Sequence, residues 1–153
     1  MVHLASYLGL LHLAELKLAR AYLAVAADHG QEPDVETLCR RFADQSTAHA
    51  DALAPFAERY GEDKPEEPER LHSELFGGTR SGGLGLLRDL HDLYLMATEC
   101  EVTSTLVVQA AQGARDAGLL QVAERCQGEA DGQLSWLRTR MKQAAPQALV
   151  VAD

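Results

Sequence analysis

A chain of 153 residues is long enough for one domain with a real core, and 46% hydrophobic with 24% charged residues is ordinary for a globular protein. The formal net charge of −9 argues against a nucleic-acid partner, because such proteins present a basic face to the phosphates. No apolar run approaches the length of a bilayer span and no leader pattern opens the sequence, so no membrane partner is expected.

The first helix is expected from about His3 to His29, with Gly30 placed to end it. Alternating steps of three and four run through Leu4, Leu8, Leu11, Glu15, Leu18, Tyr22 and Val25, the seam of a helix packed against partners. Glu15 stands in the middle of that seam. Burying an ionised carboxylate is expensive unless a cation, a proton or hydrogen-bond donors meet it.

Pro33 and Asp34 open the second helix, with Asp34 as N-cap and Glu36 complementing the dipole of the first turn. Its apolar face carries Val35, Leu38, Phe42, His49, Leu53, Phe56 and Tyr60, and Gly61 closes it. Pro55 is expected to kink this helix or split off its last turn. A polar connection follows from Glu62 to Gly85, containing KPEEPER and GGTRSGGLG, with a short helix expected over Pro68 to Phe76. Its glycines lack the strand-then-helix context of a phosphate loop and read as linker.

The third helix is expected from Leu84–Leu87 to about Gln112, with its seam at Leu87, Leu90, Tyr94, Ala97, Glu101, Thr105 and Val108. A second apolar stripe at Leu86, Leu93, Cys100 and Val107 would leave surface for another subunit in a homodimer. His91, Asp92 and Glu99 read as the solvated side. After a break over Gly113 to Gly118, the fourth helix runs to about Ala145 with Leu119, Val122, Cys126, Glu129, Gln133 and Leu137 on its seam. The tail, residues 146–153, is apolar enough to dock on the bundle. Cys39, Cys100 and Cys126 fall on helices without metal-finger spacing, which fits a reducing cytoplasm.

The whole chain, 1–153, therefore reads as one all-α four-helix bundle. Short loops make antiparallel hairpins of helices one and two and of three and four, and the long connection over 62–85 is a crossover that leaves helices two and three parallel. Glu15, His49, Glu101 and Glu129 then fall near mid-height, one per helix, at 1.5 Å per residue. Inward carboxylates and an imidazole at one level are what a metal site in a bundle requires. Gln45, Ser46 and Gln133 lie within a turn of them, and His12 stands one turn before Glu15.

In helix order and loop lengths the chain resembles the ferritin-like superfamily, especially the small bacterial YciF-type bundles of unknown function. That resemblance implies a di-iron pattern with a glutamate on helices one and three and Glu-x-x-His on helices two and four. Glu15 and Glu101 match the single glutamates and His49 matches the second-helix histidine, with Ser46 in place of its glutamate. On helix four, Glu129 takes either the glutamate position, with Gly132 at the histidine position, or the histidine position, with Cys126 at the glutamate position. Two of six ligands are missing either way. The expectation is a degenerate, non-catalytic site binding at most one divalent metal (Fe, Mn or Zn), without ferroxidase activity. The alternative is a metal-dependent redox or oxygen-handling protein. A buried polar cluster that shares protons with His49 and fixes helix register accounts for the same residues.

Overall fold

The computed structural model describes residues 2–61 and 76–151. Four α-helices follow one another: α1 (Val2–Asp28), α2 (Pro33–Gly61), α3 (Gly82–Gly113) and α4 (Ala117–Pro146), with a π-helical turn at Gln147–Val151. The short helix expected over Pro68 to Phe76 falls outside the described residues apart from Phe76, which is not helical and packs on the core.

Local chemistry explains most of the helix ends. Pro33 opens α2 with Asp34 and Glu36 in the first turn, and Asp116 caps α4 by accepting the Leu119 N–H at 3.1 Å. The helix runs through Pro55 to Gly61 with no last turn split off. Between α3 and α4 the chain reverses at Arg115, whose φ of 55° is left-handed. The Arg115 N–H donates to Gln112 O and the Asp116 N–H to Ala111 O, closing the end of α3. Glycines flank the turn at 113 and 118, yet the strained position belongs to an arginine.

Helix α1 packs on α2 and α3, and α4 packs on α3 and α2, so α2 and α3 occupy one diagonal. Side-chain pairs fix the directions. At one end His29 Nε2 lies 2.8 Å from Asp89 Oδ2, joining the end of α1 to the start of α3. There too Arg140, late in α4, donates through Nε to Asp34 at 2.7 Å and through Nη2 to Glu32 at 3.2 Å. At the other end Tyr60 donates to Asp116 at 2.6 Å, beside an Arg59–Asp116 ion pair, joining the end of α2 to the start of α4. Helices α1 and α3 therefore run antiparallel, as do α2 and α4.

The start of α3 is held by a network that the sequence reading placed elsewhere. Arg80, taken as linker, donates through Nη1 to Asp89 at 2.8 Å and to Asp92 at 2.9 Å, and its backbone N–H reaches Asp89 at 2.9 Å. Asp92, read as solvated with His91, is 2% exposed and also pairs with Arg88 at 3.1 Å. Asp89 is fully buried between Arg80 and His29. Helix α3 accordingly begins at Gly82, whose φ of +75° needs glycine. At Gly85 an added Cβ would lie 2.8 Å from the Arg80 carbonyl carbon, so a missing side chain lets the backbone fold onto the first turn.

The buried face of α3 also differs from the expected seam. Leu86, Leu93, Cys100 and Val107 are 4%, 0%, 0% and 1% exposed, so they belong to the core and offer no surface to another subunit. The expected seam residues Leu87, Tyr94, Glu101 and Thr105 are only half-buried. This helix is apolar nearly all round, so spacing alone did not fix its inward direction. The π-helical turn of the tail lies against α4 and α3, with Leu149, Val150 and Val151 still 63%, 80% and 66% exposed. No helix among the described residues is long and apolar enough to cross a membrane.

Candidate metal centre

Glu15 and His49 come to one level because α1 and α2 form a hairpin through the short turn at His29–Glu32, closed by backbone bonds from His29 to Val25 and from Glu32 to His29. Glu129 reaches the same level from α4. His49 Nδ1 lies 3.1 Å from Glu15 Oε2, and its Nε2 lies 2.6 Å from Glu129 Oε1. Glu15 is 1% exposed and His49 2%, whereas the Glu129 side chain is 30% exposed and also meets Arg125 Nε at 3.4 Å.

A doubly protonated ring satisfies both carboxylates by donating from each nitrogen. Burial pulls the His49 pKa down, but the hydrogen bonds and charges of Glu15 and Glu129 outweigh it, leaving the pKa above the ordinary histidine value. The cluster is thus a carboxylate–imidazolium–carboxylate clamp linking α1, α2 and α4. A charge-compensated arrangement of this kind explains how Glu15 tolerates its place in the seam.

Two cysteines complete the surroundings. One ligand atom each from Glu15, His49 and Cys126 lie within 4.8 Å of one another, all three residues buried. Cys100, from α3, is fully buried near Glu15. Burial, reinforced by the Glu15 charge, raises both thiol pKa values, and Glu129 adds to the effect at Cys126. Both cysteines are therefore thiols when no cation is present. Sequence reading took them as small apolar packing, and the clue to their role was position: each lies one turn or less from a seam glutamate.

Of the four residues expected to converge, Glu15, His49 and Glu129 are linked by hydrogen bonds. Glu101 faces elsewhere: its Oε1 accepts from Thr105 at 3.0 Å, and Thr105 in turn accepts from Gln127 at 2.8 Å. This follows from the off-centre seam, which points Cys100 inward and leaves Glu101 at the boundary with α4. Gln133 is buried above the site. It accepts from Tyr22 at 2.7 Å and donates to Gln45 at 3.1 Å, so both ends of its amide are used within the protein.

These donors could hold one metal ion. Glu15, His49 and Cys126 supply three different atoms around one point. The Ser46 Oγ is a buried hydroxyl with no hydrogen-bond partner among the described residues. Gly132 is exposed and offers no side chain. Compared with family models, curated proteins and solved structures, the chain matches none.

Proposed function

We propose that the chain is a ferritin-like bundle that has lost two-metal chemistry and keeps one buried, non-catalytic site for a single divalent ion of the zinc class. The observation that carries this reading is the grouping of a carboxylate, an imidazole and a thiol, from three helices, within 4.8 Å of one another. A thiol in the set favours zinc over the harder manganese and ferrous ions, and nitrogen, sulfur and oxygen donors suit its tetrahedral preference. When bound, such an ion supplies the positive charge that otherwise resides on the His49 ring. The near-complete burial of Glu15, His49 and Cys126 supports a structural role, since a substrate would need room beside the ion.

The ferritin-like assignment rests on helix directions. Helix α1 is antiparallel to both α2 and α3, so α2 ends and α3 begins at opposite ends of the bundle, and this supports the expected connectivity.

Tag-free protein stripped with a chelator and then titrated with Co²⁺ tests the site. One equivalent should bind, with a thiolate-to-metal absorption band that is lost in Cys126→Ser and kept in Glu101→Gln; Zn²⁺ should displace the cobalt. A band unaffected by Cys126→Ser, or the absence of any binding, would overturn the proposal.

A further inference from the structure

Helix α3 presents an apolar outer stripe that is left open among the described residues. Leu84, Leu95, Val102 and Leu106 are 62%, 38%, 49% and 47% exposed. With Arg88, His91, Thr98 and Gln109 they recur at steps of four or three, the spacing of a helix seam meant for another helix. Beside the far end of the stripe, where α3 meets α1, lies an apolar cavity of about 270 Å³ lined by His3, Leu4, Tyr7, Leu106, Val107 and Ala110.

Charge identifies the occupant. The chain carries a net charge of −9, and two copies repel wherever acidic surfaces meet. Helix α2 carries Asp34, Asp44, Asp51 and Glu58 on exposed positions. The whole of α1 holds just two carboxylates, buried Glu15 and terminal Asp28, and the outer stripe of α3 is bordered by one, Glu99. On the flank made by α1 and α3 a second copy therefore meets less acidic repulsion than on α2.

The stripe is also complementary to itself, in one orientation. Leu84 and Leu106 stand equally far from Leu95, as do Arg88 and Val102, and His91 and Glu99. Laying α3 antiparallel on a second α3 about Leu95 places Leu84 over Leu106 and its cavity, sets His91 and Arg88 beside Glu99, and brings the two Leu95 side chains together on the axis. A parallel pairing sets Arg88 against Arg88 and Glu99 against Glu99, which repels. We infer that the outer face of α3 is a twofold interface with a second copy of this chain, packed antiparallel and centred on Leu95. The interface lies on the opposite side of α3 from Cys100, and it does not depend on metal in the centre.

Sedimentation equilibrium at micromolar concentration should show a dimer for the wild type. It should show a helical monomer for Leu95→Asp, which sets two carboxylates against each other across the axis. Register is tested by oxidation, using the fact that the native cysteines are buried. Leu95→Cys protein should cross-link to itself, Leu106→Cys protein should not, and a mixture of Leu84→Cys and Leu106→Cys proteins should. If Leu95→Asp fails to fold, the cross-linking pattern decides. A monomeric wild type, or Leu106→Cys linking to itself more readily than Leu95→Cys, would overturn the inference.

Discussion

At His49 the two ring nitrogens face two carboxylates, and each partner depends on the others for its buried charge. Replacing His49 alone by leucine leaves Glu15 without its cation, and removing one member of a buried pair costs about 3–5 kcal/mol. The double variant Glu15→Leu/His49→Leu should lose less than the single one, because leucines of similar size suit an apolar seam; urea unfolding of the metal-free proteins measures both. The pH dependence follows from the raised His49 pKa. Its stabilisation is fully present below the unfolded value of about 6.5 and is lost as pH rises through the higher folded value. Urea midpoints of the metal-free wild type should therefore fall on the alkaline side relative to the double variant. Glu15, His49 and Glu129 were legible in the sequence because each interrupts an apolar run. Cys126 was not, since a cysteine on a seam reads as packing until its neighbours are known.

For whole helices, spacing specified number and approximate ends well, and failed at direction where polarity was weak. Helix α2 alternates charge and apolar residues clearly: Val35, Phe42, His49 and Leu53 of its expected face are buried, while Leu38, Phe56 and Tyr60 lie at the border. Helix α3 is weakly polarised, so of its expected seam Leu90, Ala97 and Val108 are buried while Leu87, Tyr94, Glu101 and Thr105 are displaced to the border, which exchanged the roles of Cys100 and Glu101. The pairing of His29 with Asp89 joins positions far apart in sequence and leaves no local pattern. Gly85 tests how firmly the first turn of α3 is seated. Alanine in an ordinary helix site gains about 1 kcal/mol over glycine, but here its Cβ meets the Arg80 backbone at 2.8 Å. Gly85→Ala should instead destabilise the protein by roughly 1–3 kcal/mol, the scale of overpacking, as read by thermal unfolding. At α4, Asp116→Ala removes the cap to Leu119 together with the contacts to Tyr60 and Arg59, and should cost about 1–2 kcal/mol in the same assay.

In the molecule as a whole, the hairpins α1–α2 and α3–α4 meet along buried surface from one end to the other. Leu8, Leu11, Leu18 and Tyr22 belong to one core with Leu90, Leu93, Leu119 and Leu137. The candidate metal centre lies across that division: Glu15 and His49 come from the first hairpin, Cys126 and Glu129 from the second. The proposed twofold face uses α3 and leaves this division inside each copy.

The clasp of His29, Asp89, Arg80 and Asp92 fastens the second hairpin to the first immediately after the connection ends. The covalent join between the two hairpins keeps two mutually complementary pieces at high effective concentration. A chain severed there by a site-specific protease should keep its helicity and elute as one particle. It should come apart only on dilution or in denaturant, with a midpoint that now depends on protein concentration. Arg80→Ala, by loosening the clasp, should bring that separation to a higher protein concentration, while the unsevered Arg80→Ala chain stays whole.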